Sequence, residues 1–162
     1  MNKSTKYSKV LFILHMPPPV HGASMVGKYI HDSKIINNAF ECHYLNLALA
    51  KDLDDIGKGG IRKLKEFYKQ LKQIRKQTKL IVPQLCYVTP NAKGGAFYKD
   101  FFVVMLLKMM RQNIVVHYHN KGIATRQNRY FDNLLYSTFF KNLKVILSVS
   151  YTHLRAHETA AN

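Results

Sequence analysis

Apolar residues along the chain gather into short runs, separated by longer segments with helical spacing. Lys9–Leu14 (KVLFIL) is apolar throughout after its lysine, as a central parallel strand covered on both faces requires. Prolines 17, 18 and 19 end it, and the spacing predicts a helix over 23–33. A second strand is predicted over 40–45. Gly57, Gly59 and Gly60 then break the chain before a long helix over 61–79. Residues 85–88 (LCYV) read as a third strand, closed by Thr89, Pro90 and Asn91. Gly94 and Gly95 lead into a helix over 97–111, a fourth strand covers 114–116, and a further helix covers 130–140. A fifth strand begins at Val145.

Strands separated by helices of this length imply right-handed βαβ crossovers. The expected fold is α/β, a Rossmann-like, mainly parallel sheet flanked by helices. Ligands in such sheets bind beyond the carboxyl ends of the strands, so 15–24, 89–95 and 117–122 are the loops that matter. The 162 residues leave room for one such domain and not for a second of similar size. No internal repeat or low-complexity linker is present.

Charge narrows the partners. The net charge of +16 favours nucleic acid, anionic lipid headgroups or phosphorylated small molecules, without choosing among them. Much of it lies on the 61–79 helix, where Ile61, Leu64, Phe67 or Tyr68, Leu71 and Ile74 form an apolar stripe. Arg62, Lys63, Lys65, Lys69, Lys72, Arg75, Lys76 and Lys79 crowd the remainder, opposed only by Glu66. Such a helix is either a plain solvated face or a surface that docks on an anionic membrane through Lys65, Lys69, Lys72, Arg75 and Lys76. Nucleic acid is the weaker partner, because no aromatic-rich stacking strand or groove-reading motif accompanies the charge.

The apolar run after Lys3, Lys6 and Lys9 is too short for a secretory segment, and 101–107 is far short of a membrane span. The expected location is the cytoplasm, with peripheral attachment to the inner face of the cell membrane. Cys42 and Cys86 lack metal-type spacing and are expected as buried free thiols.

Two segments carry candidate chemistry. Gly22 to Lys28 has the glycine and lysine spacing of a phosphate-binding P-loop, but Tyr29 stands where a Ser or Thr hydroxyl is needed. A nicotinamide fingerprint is absent as well. What remains is His21, Gly22, Ala23 and Ser24 at a helix N-terminus, where small residues let backbone N–H groups approach an anion. The plainer alternative is that Gly22 only makes the turn and Ser24 caps. The second segment is HYHNKG. His117 and His119 project to the same side of an extended stretch, with Asn120 and Lys121 behind them. Imidazoles there can hydrogen-bond sugar hydroxyls or orient a leaving phosphate. No carboxylate or cysteine lies nearby to complete a metal site, so no metal is expected.

The stretch KVLFILHMPPPVHG with Ala23 and Ser24, together with HYHNKG, resembles family 4 glycosyltransferases. These are retaining enzymes of the two-domain GT-B fold, and the likeness is closest to bacterial members acting in polysaccharide or glycolipid assembly. It spans about 9–148. The resemblance implies that residues 1–148 form the acceptor-side half of a hexosyltransferase using a nucleotide-sugar co-substrate and no other cofactor. It places His21, Gly22, Ala23 and Ser24 near the donor diphosphate and His119 as the catalytic histidine beside the transferred sugar. His117, Asn120 and Lys121 would contact acceptor or sugar. The nucleotide sugar would be held by a second domain carrying paired glutamates, so this chain alone is expected to be inactive.

Residues 149–159 (VSYTHLRAHET) resemble the translation of a transposase-type sequencing adapter, so 149–162 is expected to be a non-native tail. Loss of the following helices would then uncover Phe139, Phe140 and Ile146 and reduce solubility. The alternative function is a small, basic, non-catalytic Rossmann-like module that binds nucleic acid or membrane.

Overall fold

The computed structural model describes residues 8–18, 20–47, 60–91, 94–118 and 130–147. Five strands, β1 (Lys9–Leu14), β2 (Glu41–Asn46), β3 (Leu85–Val88), β4 (Ile114–Tyr118) and β5 (Lys144–Leu147), form one sheet in the order β2-β1-β3-β4-β5. Every pairing is parallel. Helices α1 (Gly22–Asp32) and α2 (Lys34–Ala39) connect β1 to β2. Helices α3 (Gly60–Ile81), α4 (Gly94–Met109) and α5 (Tyr130–Phe140) precede β3, β4 and β5. The architecture is α/β and Rossmann-like. Direction reverses between β2 and β3, so the crossovers change face there and the chain leaves the carboxyl ends of β1 and β3 toward opposite faces of the sheet.

The two faces of β1 hold separate cores. Leu11 and Ile13 pack with Ile74, Val103, Val104 and Leu107 under α3 and α4. Val10, Phe12 and Leu14 face α1 and α2, against Ile30 and Ile36. Burial on both sides is why KVLFIL is apolar without alternation.

Helix ends account for most departures from the sequence expectation. Helix α4 starts at Gly94 rather than 97, because it is embedded in the core at Phe97, Val103, Val104 and Leu107 and tertiary packing outweighs the glycine penalty. Helix α2 is an addition to the expected elements. Ser33 ends α1 and accepts the Ile36 N–H as the N-cap of α2, a signal hidden by the two asparagines that follow. Strand β4 runs on through Tyr118, so His117 lies within the strand and not beyond it.

On α3 the inward line is Phe67, Gln70, Leu71, Ile74, Thr78 and Ile81, with only Phe67 and Leu71 partly covered, whereas Leu64 and Tyr68 point outward. Gln70 and Thr78 are tolerated inside because Gln70 Nε2 donates to the Asn46 carbonyl (3.0 Å) and the Thr78 hydroxyl to that of Ile74 (2.8 Å). The side chains of Ile61, Arg62 and Lys63 lie outside the described residues.

Cys86 is buried and free, and burial pushes its thiol up to about 12. Cys42 is also free but only half-buried, because β2 is an edge strand. Phe139 is not uncovered: it is fully buried against Phe97 and Phe101, while β5 leaves Val145, Ile146 and Leu147 exposed. Lys108 fastens α5 to α4, its Nζ donating to the carbonyls of Thr138, Phe139 and Lys141 at 2.7–2.9 Å.

Helix α3 ends with Val82 at φ 51°, where its N–H donates to the Thr78 carbonyl. A β-branched residue is strained in this left-handed region, and its side chain is exposed, so little packing compensates. Val82→Gly is expected to stabilise the fold by about 1 kcal/mol, read as a higher urea midpoint with unchanged slope. A lower midpoint would show the Val82 side chain to matter more than its backbone.

Candidate functional site

The carboxyl ends of β1, β2 and β3 are stitched together by single hydrogen bonds. Thr89 N–H donates to the Ile13 carbonyl (3.2 Å), Leu47 N–H to that of Leu14 (2.7 Å) and Met16 N–H to Asn46 Oδ1 (3.1 Å). The His15 N–H points at Thr89 Oγ1 (3.3 Å), joining residues 74 positions apart.

Around that junction sits a polar cluster. His15 is 6% exposed, and Asp100, one and a half turns into α4, is 0% exposed. The Asn91 backbone N–H and side-chain Nδ2 both donate to Asp100 Oδ2 at 2.8 Å. Asn91 Nδ2 also lies 2.9 Å from His15 Nε2, and that ring nitrogen is 3.5 Å from Asp100 Oδ2. His15 Nε2 thus faces both the Asn91 amide and the Asp100 carboxylate.

Lys99 Nζ stands 3.3 Å from Asp100 Oδ1 but directs a hydrogen bond to the Leu47 carbonyl (2.6 Å). Asp100 Oδ1 therefore feels the ammonium charge without a hydrogen bond of its own among the described residues. Burial pushes the Asp100 carboxyl up, and the His15 contact, the Lys99 charge and the Asn91 N–H together outweigh it, so the carboxyl lies below its usual value. Burial, then the Asp100 charge and Tyr136, raise the Tyr118 phenol well above its ordinary range.

His21 and Ser24 build the start of α1. His21 Nδ1 accepts the Ser24 N–H (3.3 Å) while Ser24 Oγ accepts the His21 N–H (2.9 Å), a reciprocal cap with imidazole in place of the usual hydroxyl or carboxylate. The His21 ring is 6.2 Å from that of His15, centre to centre. Burial and then the His15 imidazole lower its pKa, so a neutral ring stands at the helix N-terminus.

The loop's glycines differ. A Cβ on Gly22 would meet nothing within 4 Å, so packing does not call for glycine there. At Gly27 a Cβ would lie 2.0 Å from the His15 carbonyl oxygen, so this glycine lets α1 rest on the end of β1. Lys28, the lysine of the P-loop-like spacing, pairs instead with Asp32 on the exposed side of α1.

His117 lies in β4, bonded through Nδ1 to the Tyr87 hydroxyl, on the sheet face that carries α1 and α2. Burial pushes Tyr87 up to about 12, so the phenol stays protonated at neutral pH. The structure brings His21, Gly22, Ala23 and Ser24 together beside His15, and sets His117 apart from them on a different strand. His119, Asn120, Lys121 and the 149–162 tail lie outside the described residues.

Sequence reading overlooked the Asp100, Asn91 and Lys99 part of the cluster. The available signal was a lone carboxylate heading the apolar run FFVVMLL, in helical phase with Phe97, Val103 and Leu107. Elsewhere, an open cavity of about 390 Å³ lies around Lys108, Gln112 and Ile114 at the amino end of β4, remote from this cluster. Among the described residues, no group of three or more His, Cys, Asp or Glu side chains is placed to hold a metal. No helix among them is long and apolar enough to cross a membrane. Compared with family models, curated proteins and solved structures, the chain matches none.

Proposed function

We propose that this chain is the acceptor-side domain of a retaining nucleotide-sugar glycosyltransferase of the GT-B type. One observation carries the reading. The P-P-P-x-H-G loop leads to a His21 and Ser24 cap of α1 beyond the carboxyl end of β1, where the chain leaving β1 and the chain leaving β3 turn to opposite faces. A helix N-terminus, a neutral imidazole and a small-residue loop at that point suit a sugar diphosphate.

In the proposed reaction the bond between the sugar anomeric carbon and the diphosphate oxygen breaks, and the acceptor hydroxyl takes its place. The acceptor proton leaves with the diphosphate. His119, following β4, is assigned to the transferred sugar. His117, Asn120 and Lys121 are assigned to acceptor contacts. The nucleotide would be held by a further domain, so the substrate pair is a nucleotide sugar and a glycan or lipid-linked acceptor.

The test begins with long-read sequencing of the source gene across residues 146–162 and beyond. A reading frame continuing into a second domain with paired glutamates allows the complete enzyme to be assayed against a panel of nucleotide sugars. Transfer that falls by about 100-fold or more in His119→Ala is the expected result. A stop codon directly after Asn162, or a complete enzyme with no transfer or donor hydrolysis, overturns the proposal.

A further inference from the structure

The exposed face of α3 is ordered in a way that charge composition does not require. Lys65, Lys69, Lys72, Lys76 and Lys79 are all exposed and recur at alternating spacings of four and three. At about 100° per residue they fall on one line about 21 Å long, opposite the buried line of Gln70, Ile74 and Ile81. Glu66, the acidic residue of the helix, sits on the flank of that line. Because the reverse face is packed into the core, the stripe is held as a rigid edge.

Apolar side chains accompany the lysines. Leu64 is 66% exposed and Tyr68 is 59% exposed, both on the shoulder that continues round from Phe67. Phe67 meets Phe102 of α4 edge-on at 6.2 Å, and Phe102 is itself 55% exposed. The Lys72 ammonium lies 5.0 Å from the centre of the Tyr68 ring.

The helix is longer than the strands beside it. Gln70 already bonds the Asn46 carbonyl at the carboxyl end of β2, so the ten residues before it project about 15 Å past the sheet. Lys65, Lys69, Leu64 and Tyr68 are carried on this overhang, on the same side of the sheet as the His15 and Asp100 cluster.

We propose that this edge of α3 docks on an anionic lipid bilayer, lysines to the headgroups and Leu64, Tyr68 and Phe102 at the acyl boundary. A nucleic-acid backbone would use the lysines but has no use for exposed leucine and phenylalanine beside them. A bilayer uses both, and a straight rigid stripe matches its plane. Strands then lie parallel to the membrane, and the carboxyl-end loops open along its surface. The inference stands without the transferase reading, since it concerns binding and not turnover.

The full chain is tested by co-sedimentation with phosphatidylcholine vesicles containing about 30 mol% phosphatidylglycerol, at ~0.15 M salt. Replacing Lys65, Lys69, Lys72, Lys76 and Lys79 together by glutamine is expected to weaken binding by on the order of 1,000-fold, at roughly fivefold per lysine. A control removing equal charge elsewhere (Lys28, Lys34, Arg111, Lys141 and Lys144 to glutamine) is expected to change it by less than about tenfold. Circular dichroism confirms that both variants fold. The chain has no native tryptophan, so the fluorescence of Tyr68→Trp reports this position alone, and brominated acyl chains in the same vesicles should quench it. Equal losses in the two charge variants, an unquenched indole signal, or tighter stripe-dependent binding to duplex DNA than to vesicles would each overturn the proposal.

Discussion

Gly27→Ala is expected to destabilise the fold by about 3 kcal/mol, a loss of roughly 6–12 °C in melting temperature. Its sign makes the result informative. In the interior of an ordinary helix the same change stabilises by about 1 kcal/mol, because alanine is the better helix former. Here the new methyl would lie 2.0 Å from the His15 carbonyl oxygen and 3.1 Å from its carbon, with Met16 Sδ at 3.3 Å. The first two are backbone atoms of the segment leaving β1, so no side-chain rotation relieves the contact. Either α1 lifts or the end of β1 moves, and both displace His21 from His15. Equilibrium urea unfolding decides: an unchanged or raised midpoint would mean that α1 does not rest on His15 as described.

Asp100→Ala should cost about 3–5 kcal/mol, since it strands buried partners that were built to meet a carboxylate. The Asn91 N–H, the Asn91 amide and the Lys99 ammonium all lose their acceptor or counter-charge. Asp100→Asn keeps the shape and isolates the charge. The Asp100 carboxyl lies below its ordinary value in the folded state, so the stability it supplies is fully present above the unfolded carboxylate pKa of about 4. That stability is lost as pH falls through the lower folded value. The part of the gap between wild type and Asp100→Asn that the carboxylate charge supplies is therefore expected to close as pH falls below about 4. Asp32 and Glu41 are also shifted down, but on the surface and equally in both proteins, so they cancel in the difference. A gap that fails to close below about pH 4 would refute the assignment of Asp100 as a buried carboxylate.

β1, β3 and β4 were legible because each carries a run of apolar side chains with turn residues after it, and Tyr130–Phe140 emerged at its expected bounds. Helical phase was harder. Phe67 and Tyr68 are adjacent, and only the neighbouring Phe102 decides which turns inward. Gln70 and Thr78 are polar and were absent from the expected apolar stripe, yet a carbonyl accepts a hydrogen bond from each inside. The His21 and Ser24 cap was legible as a loop motif because its parts are three positions apart. The His15, Asn91 and Asp100 cluster was not, because these residues meet only after β3 has paired with β1 and α4 has packed across it.

That late pairing also matters while the chain is being made. The interior strand β1 leaves the ribosome well before its partner β3 and the Thr89 that fastens His15, which follow about seventy residues later. At elongation speeds of about 5–20 residues per second, KVLFIL waits several seconds with at least one edge unpaired. A short run of β-formers with a single charge at its head is a sticky nascent segment. Its leading Lys9 and the prolines after His15 are well placed as gatekeepers, keeping neighbouring nascent chains from pairing with it before β3 arrives.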